Sequence, residues 1–311
     1  MDPAPPPPLP LDESHILLFV VGCPRSGTTW LQLLLAQHPA VATRNETNLF
    51  LYLDSLERRW EREKRGVHNR PMGLPEVLSD AEFYGFCTEL AARTLGRIAE
   101  SRPGARVVLE KTPVHVLHGR LILRLFPRAH FLHVIRDPRS VASSMLDAHA
   151  TWGSHWAPNS LEDAARWWRR AIEAGRALQA ATPRYQEVRY EAVIDDGPGT
   201  LERILRTLEL PFPPGFAEQA LQACHIDRLR SASKEVEAPW RLDREPEGFF
   251  RRGARDAWRE EMAEDEIRAI EAVVGDLMVE LGYALAYPPT PAAPPPGSGA
   301  PRRGWFRRSS A

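Results

Sequence analysis

The sequence predicts an α/β fold, a parallel sheet with helices on both faces and one mainly helical insertion. Three observations carry that expectation. Short apolar runs alternate with amphipathic stretches through the middle of the chain; the first run ends in a glycine-flanked turn leading into a helix; and 43% hydrophobic residues over 311 positions suffice for a full core.

Taken in order, the first strand is expected over Ile16 to Val21 (ILLFVV), followed by the helical pattern TTWLQLLLAQHP. RVVLE (106–110) precedes the amphipathic stretch HVLHGRLILRLF, and HFLHVIR (130–136) precedes PRSVASSMLDAH. A further strand, YQEVRY (185–190), leads into the helical GTLERILRTLEL, and the last long helix is expected from Ala263 to Leu281, closed by Gly282. Residues 48–104, rich in charge and weak in strand signal, read as the helical insertion, placed where it could cover a substrate.

Proline crowds both ends, PAPPPPLP at 3–10 and YPPTPAAPPPGSGAP at 287–301. Such segments lack the apolar content to order themselves, so the domain is expected over 14–287, between a Pro-rich N-terminus (1–13) and a Pro-rich, basic tail (288–311). Within that tail RRGWFRRSSA sets Trp305 and Phe306 between arginine pairs; it reads either as a weak contact with an anionic membrane or, as composition favours, as a solvated tail.

A formal net charge of -1 argues against nucleic-acid binding. Cys23, Cys87 and Cys224 match neither a disulfide framework nor a zinc pattern, which predicts reduced thiols and a reducing compartment. The N-terminus has no basic leader, and Ile16 to Val21 is too short for a signal peptide or membrane span, so the expectation is a soluble, cytoplasmic protein. The glycosylation sequon Asn45-Glu46-Thr47 is then accidental.

The turn after the first strand reads G22-C-P-R-S-G-T-T29. Its glycines stand five apart and a threonine closes it, as in a nucleotide-binding P-loop, but Thr28 takes the place of the lysine. A glycine turn feeding a helix N-terminus still makes an anion cradle from backbone N–H groups and the positive dipole end. Arg25 restores the missing charge from inside the loop. Without the lysine the loop is ill suited to ordinary phosphoryl transfer.

A second anion site is expected at R136-D-P-R-S-V-A-S-S144. Asp137 suits a helix cap and Pro138 a first turn, while Ser140 and Ser144 share one helix face beside Arg136. Two alternatives stand beside this: a local Arg136–Asp137 ion pair, or Asp137 as the magnesium carboxylate of a P-loop kinase.

Together, FVVGCPRSGTTW and VIRDPRSVASS resemble the 5′-phosphosulfate loop and the 3′-phosphate motif of sulfotransferases that use 3′-phosphoadenosine 5′-phosphosulfate (PAPS) and release adenosine 3′,5′-bisphosphate (PAP). The resemblance extends from Ile16 to the closing LMVELGY and accounts for the absent lysine. It implies a P-loop-like fold, no metal, and donor contacts from Arg25, Ser26, Gly27, Thr28, Thr29 and Trp30, with Arg136 and Ser144 on the 3′-phosphate. F249-F-R-R-G-A-R-D-A-W258 resembles a further 3′-phosphate motif and implies Arg251, Arg252 and Gly253, although Asp256 stands where many relatives have glycine. Tyr190 is similarly placed to an aromatic adenine contact, and a core position suits it equally.

Sulfuryl transfer is an in-line displacement that needs a base on the acceptor side and positive charge on the leaving side. Arg25 and Lys111, the latter in the family-like run Glu110-Lys111-Thr112-Pro113, are the expected cations. PRSGTT followed by HPAVATRNET is similar to tyrosylprotein sulfotransferases and their bacterial relatives, which implies Glu46 as base. His115, four residues after Lys111, is the second candidate; the small-molecule enzymes have a histidine two residues after the lysine, where this chain has Pro113, so the spacing disfavours it. Cys23 at a helix N-terminus is a conceivable nucleophile, for which packing is preferred. Trp152, Trp156, Trp167 and Trp168 either line an acceptor cleft or pack helices. The acceptor itself, whether small molecule, carbohydrate, lipid or peptide, is not encoded in any motif.

Overall fold

In the computed structural model, residues 11, 14–66, 70–231, 245, 246, 248–250 and 255–287 are described. Five strands, β1 (Ile16–Gly22), β2 (Val41–Thr43), β3 (Val107–Lys111), β4 (His130–Ile135) and β5 (Tyr185–Arg189), form one parallel sheet in the order β2-β3-β1-β4-β5. Every pairing in it is parallel, with Val20 level with Lys111 and Gly22 with Val134, because each strand returns to the sheet through helices. All strand C-termini therefore open on one edge, where ligands bind in such sheets.

β1 is central, and its alternation sends side chains to two cores. Leu18 and Val20 pack with Leu31, Leu34, Leu201, Ile204 and Ala217, supplied by α1 (Thr28–Ala36), α8 (Gly197–Thr207) and α9 (Phe216–Ala223). Leu17, Phe19 and Val21 face the larger core, built with α2 (Leu49–Arg65), α3 (Asp80–Ala99), α4 (Gly119–Leu125), α5 (Pro138–Thr151), α6 (Leu161–Ala181) and α12 (Glu264–Glu280). Phe19 lies at its centre, stacked on Phe131 and edge-on to Phe50, each ring 5.6 Å away. Burying such a side chain contributes about 2 kcal/mol or more.

The remaining helices, α7 (Tyr190–Asp195), α10 (Ile226–Arg230) and α11 (Trp258–Glu261), are short. A buried ion cluster fastens the C-terminal helix to the sheet edge: Arg139 on α5 bonds Asp137 through Nη2 at 2.6 Å and Glu271 on α12 at 2.8 Å, with its guanidinium 3.7 Å above the Trp258 ring. Glu271 in turn accepts the N–H of Ala286 at 2.8 Å and of Tyr287 at 3.1 Å.

The expected strand–helix rhythm is present, with three differences. β2, three residues of modest strand character, gives no sequence signal of its own. Tyr190 opens α7 instead of ending β5, since Val188 is the last deeply buried residue of that strand. The 48–104 stretch is helical, but α3 contributes Phe83, Cys87, Ala91 and Leu95 to the core and so belongs to the β2–β3 crossover. A 3-10 turn (Leu74–Glu76) lies between α2 and α3, and another (Pro113–His118) takes up the first half of the stretch before α4. The last helix spans Glu264–Glu280, with Gly282 at φ +79 beyond it.

Candidate functional site

The loop after β1 closes onto α1, whose N-cap is Gly27 at φ +96. A Cβ on Gly27 would lie 2.5 Å from Cδ2 of Tyr190, so glycine is required both by conformation and by the packed ring. Gly22 meets a similar limit, since its Cβ would sit 2.5 Å from the carbonyl oxygen of Val134. Arg25 adopts φ +71, a left-handed residue in a loop of this kind, which curls successive N–H groups toward one concavity. The first-turn amides of α1 have no partner within the helix and carry its positive end. Thr28 is buried, Thr29 is half-buried, and both line the cavity at this edge; Ser26 is fully buried and its Oγ has no hydrogen-bond partner.

Arg25 reaches away from its own loop. Its Nε donates to Ser144 Oγ at 3.0 Å and its Nη2 to the Phe249 carbonyl at 2.7 Å, while the guanidinium lies 5.1 Å from the Phe249 ring and 5.5 Å from that of Trp152. Arg136 leaves the end of β4, donates to the Arg25 carbonyl at 3.3 Å and covers the Tyr190 ring at 4.2 Å. The two phosphate-type motifs are thus joined through three named side chains. Ser140 and Ser144, one turn apart on α5, both line the cavity, and Ser140 Oγ donates to the Arg255 carbonyl at 3.4 Å.

Asp137 caps α5 through the N–H of Arg139 at 2.9 Å, as its position suggests. Its carboxylate is otherwise taken by the Arg139 guanidinium, so its partner is Arg139 and not Arg136, and it is turned away from any magnesium role.

On the other side of the loop, Lys111 at the end of β3 pairs with Glu46 from the segment after β2. The lysine is buried and the glutamate 38% exposed, so Glu46 is the partner that faces the cavity opening. Beneath them Glu110 is buried and accepts from Thr47 Oγ1 at 2.8 Å, Thr112 Oγ1 at 2.6 Å and His115 Nδ1 at 2.8 Å. Burial alone would push the Glu110 carboxyl up; His115 and the two hydroxyls outweigh it and bring the pKa down to about 2. His115 is itself fully buried, and its Nε2 accepts the N–H of Phe50 at 3.2 Å. With both ring nitrogens engaged inside the protein, it has no face toward an acceptor.

Arg25, Thr28, Thr29, Arg136, Ser144, Glu46 and Lys111 line one cavity of about 1020 Å³. Trp30 and Tyr190 meet edge to face at 5.6 Å, and Trp30 Nε1 donates to the Cys224 carbonyl at 3.1 Å. Trp152, Trp156 and Trp167 line the cavity too, whereas Trp168 is core and donates from Nε1 to the Arg136 carbonyl at 2.9 Å. Among the described residues of the 48–104 stretch, Asn48 and Leu51 at its start line the cavity. Cys23 is buried in the core and its thiol is pushed up by that burial, which favours packing over a thiolate nucleophile. Arg251, Arg252, Gly253, the tail 288–311 and most of 1–13 lie outside the described residues.

Glu110 is the residue the sequence understated. Its signal was a carboxylate in a strand whose other positions before the lysine are apolar, which calls for a dedicated partner set. Among the described residues no helix is long and apolar enough to cross a membrane, and no three His, Cys, Asp or Glu side chains are grouped to hold a metal ion.

A model described as the sulfotransferase family matches residues 18–214, which spans the sheet and both anion motifs. A protein-tyrosine sulfotransferase of Drosophila melanogaster is 25% identical over 293 residues, covering 92% of this chain and 54% of its own length. Nodulation protein NoeE of Sinorhizobium fredii is 27% identical over 302 residues, covering 89% of this chain and 67% of NoeE. This chain thus spans about half the length of the first of these relatives and two thirds of the second. Mouse sulfotransferase SULT7A1, solved with PAP, shares the fold at a TM-score of 0.54 and 13% identity over 86% of each chain. With the family match covering well over half of its length, the chain belongs to the sulfotransferase family.

Proposed function

We propose that this protein transfers the sulfuryl group of PAPS to a hydroxyl or amine acceptor and releases PAP. The observation that carries this reading is that one cavity joins two helix N-termini, each with its own arginine, to the Glu46–Lys111 pair. A donor with a phosphosulfate at one end of its ribose and a 3′-phosphate at the other matches two separated anion cradles, while a lone phosphate would use one.

In this reading the first-turn amides of α1, Thr28, Thr29 and Arg25 hold the phosphosulfate, and Arg136 and Ser144 take the 3′-phosphate. Trp30 and Tyr190 flank the adenine, and Arg251, Arg252 and Gly253 are carried over from the family motif as further 3′-phosphate contacts. The acceptor oxygen attacks sulfur in line, its proton passes to Glu46, and the bond from sulfur to the bridging oxygen breaks. Lys111 and Arg25 stabilise the charge that collects on that oxygen as PAP leaves. Lys111 suits the task because a flexible ammonium can leave Glu46 and follow the charge. Glu46 is preferred to His115 because it faces the cavity and the histidine does not. No step calls for a metal ion.

The tryptophans beside Arg25 make an apolar wall for the acceptor, which leaves small-molecule, carbohydrate, lipid and peptide acceptors in play; the name of the Drosophila relative makes a tyrosyl peptide the first to try. The test is release of PAP from PAPS in the presence of a chelator, across tyrosyl peptides, sugars, phenols and sterols. Acceptor-dependent release of PAP supports the reading. Transfer of phosphate from magnesium-ATP, abolished by the chelator, would overturn it.

A further inference from the structure

We infer that Glu110 is a positioning residue, whose buried carboxylate holds the segment carrying Glu46 against the strand end carrying Lys111. The inference rests on the proposal that Glu46 is the base.

Four consecutive amides at the start of α2 find their acceptors in side chains. The N–H of Thr47 donates to Glu110 Oε1 at 3.3 Å, that of Asn48 to Thr112 Oγ1 at 3.3 Å, that of Leu49 to Thr47 Oγ1 at 3.2 Å, and that of Phe50 to His115 Nε2 at 3.2 Å. Helix N-termini are usually capped by the side chain of the N-cap residue. Here that residue, Asn48, sits at φ +53 and its side chain caps nothing; the cap is assembled largely from the β3 end and the turn after it.

One carboxylate orients the whole set. Thr47 Oγ1 and Thr112 Oγ1 both give their protons to Glu110 Oε1, so their lone pairs are left for Leu49 and Asn48. His115 gives its Nδ1 proton to Glu110 Oε2, so its Nε2 lone pair is left for Phe50. A negative charge at this place also suits the positive end of α2. Without the carboxylate the hydroxyls are free to turn, the imidazole is free to change tautomer, and the helix start loses its acceptors together.

The consequence falls on the reacting groups because of sequence adjacency. Glu46 is the residue before Thr47, and Lys111 lies between Glu110 and Thr112. The network therefore fixes both ends of the Glu46–Lys111 pair at the cavity wall without itself meeting a substrate.

The test is hydrogen exchange on the full chain with PAP present, read in peptides covering residues 45–52. Glu110→Gln is expected to speed exchange of the Thr47 to Phe50 amides about tenfold or more while leaving β1 and β4 peptides unchanged. His115→Asn, a milder change that keeps a donor toward Glu110, is expected to expose the Phe50 amide alone, and it keeps the test decisive should Glu110→Gln fold poorly. Wild-type exchange at these amides in both variants would overturn the inference.

A kinetic readout separates positioning from bulk stability. With PAPS and water as acceptor, Glu110→Gln should lower kcat about tenfold or more with the KM for PAPS unchanged, and should have no further effect in a Glu46→Gln background. An equal loss in both backgrounds would contradict a role through Glu46. Should Glu46→Gln alone keep full turnover, the base assignment falls, and the exchange result separately decides whether Glu110 holds the segment.

Discussion

Arg25 Nε donates to the hydroxyl of Ser144 at 3.0 Å, joining the loop after β1 to a helix that begins more than a hundred residues later. A single guanidinium therefore bridges the two loops, with its Nη2 held by the Phe249 carbonyl. Arg25→Ala is expected to weaken PAP binding about tenfold or more and to lower turnover as well, because loop, α5 and cavity wall lose a shared donor. Arg25→Lys should rescue only part of this, since an ammonium does not span the two fork positions. Calorimetry with PAP on the two variants checks the order.

Glu46→Gln should behave in the opposite way. The neutral amide keeps the size of the side chain near Lys111, so PAP affinity is expected to stay close to wild type, while turnover falls about a hundredfold for a lost general base. Parallel measurement of PAP affinity and of PAP release decides it; undiminished release would remove Glu46 from the mechanism.

At Gly27 the prediction concerns shape. Gly27→Ala places a Cβ 2.5 Å from the Tyr190 ring at a left-handed φ, so the ring, the Arg136 guanidinium stacked on it and the loop are all displaced. The variant should lose about 1–3 kcal/mol of stability and most of its PAP affinity. Urea unfolding and PAP titration measure the two effects; a variant that is wild type in both would contradict the packing described here.

Glu110 sets a pH dependence whose sign is fixed. Its folded pKa is lowered to about 2 from the ordinary 4.5, against the upward push of burial, by His115, Thr112 and Thr47. A depressed carboxyl contributes stability in full above its unfolded pKa and loses it as pH falls through the folded one. The stability gap between wild type and Glu110→Gln, followed by urea unfolding, should stay level from about pH 8 to about pH 5 and narrow only as the pH drops from about 4.5 toward 2. A gap that does not narrow below about pH 4.5 would contradict this assignment to the Glu110 carboxylate.

The architecture was legible because a parallel sheet buries its strands on both faces, and ILLFVV, RVVLE and HFLHVIR write that burial as unbroken apolar runs. The geometry of the two loops was legible for a related reason, since glycine at positive φ and an aspartate cap are local requirements that local residues must meet. What stayed hidden is long-range. β2 is strand only because β3 lies beside it, the Arg25–Ser144 bond spans two motifs, and Thr47 reaches Glu110 across more than sixty residues of sequence. His115 shows the limit most plainly: its spacing from Lys111 only disfavoured it as a base, and its burial between Glu110 and the Phe50 amide is a tertiary fact.

In the proposed function, two arginine-bearing cradles in one cavity hold a 3′-phosphorylated adenosine donor. Calorimetric titration of wild type and Arg136→Ala with PAP, and with magnesium-ATP alongside, tests it most directly. Tight PAP binding that needs no metal is expected, weakening about tenfold or more in Arg136→Ala, where the guanidinium over Tyr190 is gone. Preference for magnesium-ATP, or PAP binding indifferent to Arg136, would contradict it.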